Sequence, residues 1–354
     1  MMYLYSKAIF CRREGTLEAM ENNYQKQYPD LMRGKKIMYV HGFGSSAASG
    51  TVVRMREMLP SAQVIAEDIP VDPEEGLNML RAMAESERPH LIIGTSMGGM
   101  YAEQLYGFDR ILINPAFRIA DTMGAHGLTG KQTFLNPRKD GVQEFLVTKA
   151  MVKKYRTVQE GCFAHSTDEE EQKHVWGLFG DEDQLVHTFP LFSEHYRKAI
   201  WFHGEHRMND EVFLNSVIPV IRWIDDQQEQ RKRQVIYIDV EALGDGSGQE
   251  RSSMRKAFRR LLESYEIYFV ASSPNYDTAL YEHVLSWLKM HIGVPAYNHV
   301  IFTPQPQLLL GDFFITPQEK SLLPAFMGTV VAFGSPTFKT WEDIATYFER
   351  MGAF

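Results

Sequence analysis

Ser96, Asp183 and His206 are the residues of this 354-residue chain whose types and spacing best fit a chemical task. Ser96 sits in Gly94-Thr95-Ser96-Met97-Gly98, after the apolar run His90-Leu91-Ile92-Ile93 and before a helical pattern from Gly99 to Leu105. A G-x-S-x-G between a strand and a helix is a nucleophile elbow. Its serine sits on a sharp turn with the hydroxyl above the sheet, and side chains at 94 and 98 would crowd that turn. A serine hydroxyl is a weak nucleophile. It needs a base, an acid that orients the base, and donors for the oxyanion. Acid and base follow in chain order. Val175–Phe179 runs into Gly180-Asp181-Glu182-Asp183-Gln184-Leu185-Val186, and Ala199–Phe202 runs into His203-Gly204-Glu205-His206. Asp183 is preferred to Asp181 because it falls past the turn while Val186 returns to the core; Asp181 suits a turn cap. His206 is preferred to His203 because it lies on the loop over the strand tips, whereas His203 ends the strand and suits packing. The oxyanion donors are the backbone N–H groups of Met97 and Phe43, the latter in His41-Gly42-Phe43-Gly44. Each such donor is worth about 3–4 kcal/mol in the transition state. The His41 side chain reads as a brace for this loop.

These residues need a sheet to hold them. Lys36–Val40, Gln63–Ala66, Leu91–Ile93, Arg110–Ile113, Val175–Phe179 and Ala199–Phe202 are short apolar runs, and helical patterns alternate with them. That alternation predicts a parallel sheet flanked by helices. Pro73–Glu87 reads as a helix, as does Asn209–Asp226 with Asn209 as its cap. Residues 116–174 interrupt the pattern as an inserted segment, expected to carry a helix at Val142–Tyr155 and to cover the site. The polar stretch Gln227–Arg233 marks a boundary, and a second alternating pattern opens at Gln234.

Composition excludes several classes. A net charge of -8 offers no footprint for nucleic acid. Two cysteines, Cys11 and Cys162, exclude a disulfide scaffold and suit a reducing, cytoplasmic setting. No apolar run approaches the roughly 18 residues of a membrane span. The charges near the N-terminus follow its apolar stretch, the reverse of a signal peptide. Residues 1–30 read as a leader, with Met20 and Met32 as further candidate starts. Oligomeric state is left open.

The series "YVHGFGSS", "LIIGTSMGGMYA", "ILINPAF", "GLFGDEDQLV" and "FHGEHRM" resembles small bacterial esterases of the YqiA/YcfP type, within the α/β-hydrolase superfamily. The resemblance spans about Lys36–Trp223, and Asn114-Pro115-Ala116 is its most particular piece. It implies an α/β-hydrolase three-layer sandwich over residues 31–229, with the lid-like insertion at 116–174. It also implies hydrolysis of carboxylic esters or acyl thioesters of small molecules, without metal or organic cofactor. Ser96, Asp183 and His206 carry over as the triad.

Val235–Ile238 ends in Asp239 and Glu241, Phe269–Ala271 ends in Ser272-Ser273, and Leu308–Leu310 reads as a third strand ending in Asp312. That series, over 230–354, resembles haloacid-dehalogenase-like phosphatases of the deoxyribonucleotidase branch, implying a second Rossmann-like domain, with Asp239 and Glu241 matching that family's D-x-D with a longer second acid. Pro306 stands where the branch has a lysine, and Thr316-Pro317 where it has a second acidic pair. Magnesium needs several oxygen ligands and a phosphoryl group needs a cation. The expectation is a degenerate domain with a structural or binding role. The other readings are a metal or phosphotransfer site of Asp239, Glu241 and Asp312, and a whole chain that binds rather than catalyses.

Overall fold

The computed structural model describes residues 27–244, 248–272 and 278–351. Cys11, Met20, Ser273 and residues 1–26 of the expected leader lie outside them. At the described end of the expected leader, Tyr28 is buried and its N–H bonds Met58 O at 2.7 Å, and the following Leu31 and Met32 join the core.

The first sheet is built from β1 (Lys36–Val40), β2 (Gln63–Ile65), β3 (Leu91–Thr95), β4 (Arg110–Ile113), β7 (Val175–Gly180) and β8 (Ala199–Phe202). All its pairings are parallel, in the order β2-β1-β3-β4-β7-β8. Helices α1 (Gly50–Met58), α2 (Pro73–Glu87) and α3 (Met97–Glu103) follow β1, β2 and β3. The insertion after β4 holds α4 (Ile119–Ala125), a hairpin of β5 (Gly130–Thr133) and β6 (Glu144–Val147), α5 (Lys149–Gln159) and α6 (Glu169–His174). Then come α7 (Phe189–His195) and a helical stretch of α8 (Asp210–Val212), a π-turn (Phe213–Val217) and α9 (Ile218–Gln228). Val52, Met55, Val217 and Ile221 cover one face of the sheet; Leu80, Met100, Tyr155 and Phe192 cover the other. The result is a three-layer α/β fold, a six-stranded parallel sheet with helices on both faces. The central positions of its strands are apolar because both faces are covered.

The helix expected over Val142–Tyr155 begins later. Residues 144–147 alternate exposed and inward positions, as a strand does, and Phe145 packs on Phe43 at 5.4 Å. The helix starts where the Thr148 hydroxyl caps Met151 N at 3.1 Å. The hairpin straps the loop after β1: Leu135 N donates to Gly44 O at 2.7 Å, and Ser46 Oγ to Pro137 O at 2.7 Å. The end of the insertion is anchored by charge. Arg110 is fully buried and bonds Glu171 and the carbonyls of Glu103 and Phe108.

The second sheet contains β9 (Gln234–Asp239), β10 (Tyr265–Ala271), β11 (Val300–Phe302), β12 (Phe313–Pro317) and β13 (Thr329–Phe333), all parallel, in the order β11-β10-β9-β12-β13. Helices α10 (Gly248–Ser264), α11 (Thr278–His291) and α12 (Trp341–Arg350) cover one face. Phe326 and Leu323 help to cover the other. The polar stretch before β9 is pinned: Arg231 pairs with Asp225 at 3.2 Å, and Arg233 with Asp226. The two modules share apolar contact. Val294 enters the first core, and His299 stacks on Trp223 at 5.1 Å.

Removing one partner of a buried ion pair costs about 3–5 kcal/mol, because the other charge is left stranded. Arg110→Met should therefore lower unfolding free energy by about that amount in urea titrations, while Arg110→Met/Glu171→Leu should recover much of the loss.

Candidate active site

The elbow is a strained turn. Ser96 has φ 54°, a left-handed value that few non-glycine residues adopt. The turn is also crowded. A Cβ at Gly98 would lie 2.0 Å from Val40 O, and one at Gly94 2.4 Å from Gly98 O. Both contacts are with backbone that cannot move aside, which explains the two glycines of the motif. Ser96 N donates to Ile113 O at 3.0 Å, and Ala116 N donates to Ser96 O at 2.9 Å, so β4 and its following loop brace the turn.

The structure brings Ser96, His206 and Asp183 together. His206 Nε2 lies 3.0 Å from Ser96 Oγ, and His206 Nδ1 lies 2.8 Å from Asp183 Oδ2. With Asp183 ionised, Nδ1 carries the proton and Nε2 presents its lone pair to the hydroxyl. Asp183 is buried, and its Oδ1 accepts from Leu185 N at 2.7 Å and Val186 N at 3.0 Å. Burial alone would raise its carboxyl. The hydrogen bonds from His206 and the two amides outweigh that and hold it below the usual carboxylate range.

The other sequence-read residues fall as follows. Gly42 lies against the elbow, a Cβ there meeting Ser96 Cβ at 3.3 Å, which brings the Phe43 loop beside the serine. Met97 opens α3. The His41 ring is buried and braces the loop: Nδ1 contacts Gly42 O at 2.9 Å, and Nε2 accepts from Ile69 N at 3.2 Å. Burial lowers its pKa, which suits a neutral ring. Asp181 holds the turn through Gly204 N at 3.2 Å. His203 is exposed rather than packed, 3.3 Å from Asp181.

Asn114 also positions the site, a task its sequence context does not name. Its Oδ1 accepts from Gly180 N at 2.7 Å, and its Nδ2 donates to the carbonyls of Glu205 and His206, both at 3.1 Å. One buried amide therefore ties the end of β4 to the end of β7 and to the loop that carries His206. The available signal was an asparagine directly after an apolar strand and before proline. Its φ of 44° is one that asparagine tolerates better than most residues.

The second sheet corrects one expectation. Residues 306–308 form a 3₁₀ turn, and the strand begins at Phe313. Asp312 therefore lies just before β12 instead of ending a strand, and its carboxylate accepts from Val235 N at 2.7 Å, at the opposite end of the sheet from Asp239. A leucine run suggested a strand, but the aromatic and β-branched Phe313–Thr316 fits the covered sheet better. At the other end, Asp239 is buried, accepting from Glu241 N at 3.0 Å and from Thr316 Oγ1 at 3.2 Å. Glu241 pairs with Lys320 at 2.5 Å. Among the described residues, no three His, Cys, Asp or Glu side chains gather as metal ligands, and no helix is long and apolar enough to cross a membrane.

Residues 36–212, half of the chain, match the model of a family described as "Uncharacterised protein family (UPF0227)". The chain belongs to that family. A curated protein of Vibrio phage KVP40, named "Putative 5'(3')-deoxyribonucleotidase", is 26% identical over 91 residues, 26% of this chain and 54% of the phage protein. The chain thus spans about half the length of that relative. Among solved structures, Est1E from Butyrivibrio proteoclasticus is 16% identical with a TM-score of 0.39, over 57% of this chain and 89% of Est1E. A soluble variant of monoglyceride lipase from Saccharomyces cerevisiae is 13% identical with a TM-score of 0.39, over 56% of this chain and 89% of the lipase.

Two outcomes are expected. Asn114→Ala should strand Gly180 N and free the His206 loop, costing about 1–3 kcal/mol in chemical denaturation. The Asp183 carboxyl is depressed in the folded protein, so its contribution is present above the unfolded carboxylate range near pH 4 and is lost as pH falls through the folded value. The stability gap between wild type and Asp183→Asn should accordingly be widest near pH 7 and narrow at acid pH in urea titrations.

Proposed function

We propose that residues 31–229 form a serine hydrolase of carboxylic esters or acyl thioesters, and that residues 230–354 form an attached non-hydrolytic domain. The single observation that carries this reading is the continuous relay of Ser96, His206 and Asp183 at 3.0 and 2.8 Å. Ser96 Oγ adds to the carbonyl carbon as its proton passes to His206 Nε2. The N–H groups of Met97 and Phe43 hold the oxygen that becomes negative. Collapse expels the alcohol or thiol, which takes the proton from His206. Water, activated by the same base, then releases the acid and restores Ser96. Asp183 keeps the imidazole in the productive tautomer and offsets the positive charge it gains. Every group this chemistry needs is supplied by the chain.

Ser96→Ala should cut turnover of p-nitrophenyl esters by at least about a thousandfold with the fold intact. A fluorophosphonate should label wild type stoichiometrically and leave the variant unlabelled. Equal turnover in both proteins would end the proposal. Magnesium-dependent phosphatase turnover that vanishes in Asp239→Asn would restore catalysis to the second domain. The placement of Asp312 at the opposite end of the sheet from Asp239 speaks against that outcome.

A further inference from the structure

We propose that the cavity between the two sheets' modules binds a small monocarboxylate with an apolar body, of the medium-chain aliphatic acid type. The cavity measures about 380 Å³, within the roughly 300–1,000 Å³ of small-molecule sites. Its apolar lining includes Val212, Leu214 and Pro219 from the first module and Phe258, Leu262 and Pro295 from the second. Arg259 and Arg255 stand one turn apart on α10 and line the second-module wall. Arg259 is half-buried, yet neither guanidinium makes a hydrogen bond or ion pair within the described residues. Desolvation lowers the Arg259 pKa, and the carboxylate of Glu211 offsets this only through space. A charged guanidinium taken out of water without an acceptor is costly, and an incoming carboxylate supplies the two oxygens its fork fits. Lys289, also on this wall, has the Trp201 ring at 5.3 Å as its partner.

Charge on the opposite wall narrows the ligand. Glu182, Glu205 and Glu211 line it, all exposed. Three acids against three cations leave no net positive field to hold a polyanion such as a nucleotide. A single carboxylate can sit at Arg259 while its apolar body covers the cavity floor. Two of these acids also adjoin the proposed relay: Glu182 precedes Asp183, and Glu205 precedes His206. An occupant therefore touches the loops that set the relay. Binding itself stands apart from the reading of Ser96 and is measured without turnover.

Sodium octanoate titrated calorimetrically into the full chain tests the site. Saturable one-to-one binding is expected, equal in wild type and Ser96→Ala, and weakened roughly ten- to a hundredfold in Arg259→Gln. The neutral analogue 1-octanol and inorganic phosphate should both bind at least tenfold more weakly than octanoate. Should Arg259→Gln fail to fold, the double variant Arg255→Gln/Lys289→Gln, at two exposed positions, should weaken octanoate at least tenfold. Absent saturable binding, or affinity unchanged in these variants, would overturn the proposal. So would displacement of octanoate by prior fluorophosphonate labelling, which would place it at Ser96. Phosphate binding as tight as octanoate would replace the monocarboxylate with a simple anion site.

Discussion

The backbone of Ser96 is held in a conformation that few side chains tolerate, and much of the first module is arranged around holding it there. A φ of 54° is costly for serine and persists where neighbouring contacts over-determine it. Those contacts are visible. The turn is pressed between the carbonyls of β1 and the Pro115 loop, so closely that residues 94 and 98 have no room for a Cβ. Amide bonds to Ile113 O and from Ala116 N fix its two sides. Because β1, β3 and β4 lie side by side in the sheet, the strain is shared by a rigid frame rather than by a loop.

The relay beyond the serine depends on long-range positioning. Asp183 and His206 leave from different strands, and neither loop has regular structure to define it. Asn114 bridges them, with one side-chain amide engaging the end of β7 and the His206 loop together. Asp183 is fixed in turn by two backbone amides of its own turn. These bonds fix the Asp183 carboxylate and the His206 loop relative to the ends of β4 and β7.

The second module repeats the same building rules with a different outcome. Its strand ends carry acids, as a phosphoryl-transfer site would. Here Asp239 accepts from Thr316 and a backbone amide, and Glu241 pairs with Lys320 at the surface. The module is joined to the first by apolar and aromatic contact around Trp223, Val294 and His299, with the charged cavity beside that contact.

The sequence by itself determined the six apolar strands, the glycine-flanked serine, the chain order of Ser96, Asp183 and His206, and the start of a second α/β pattern at Gln234. These are local properties: side-chain period, turn chemistry and strand-end residues are written within a few positions of one another. It misplaced two elements, the helix now seen from Lys149 and the strand now seen from Phe313. A short apolar run fits helix, strand or turn until its packing partners are known. The tertiary structure alone decided that Asp312 and Asp239 lie at opposite ends of one sheet, that Asn114 reaches the His206 loop across 92 residues of sequence, and that Arg259 faces a cavity without an acceptor among the described residues. Distances between residues far apart in sequence are set by strand order and register, which no local pattern records.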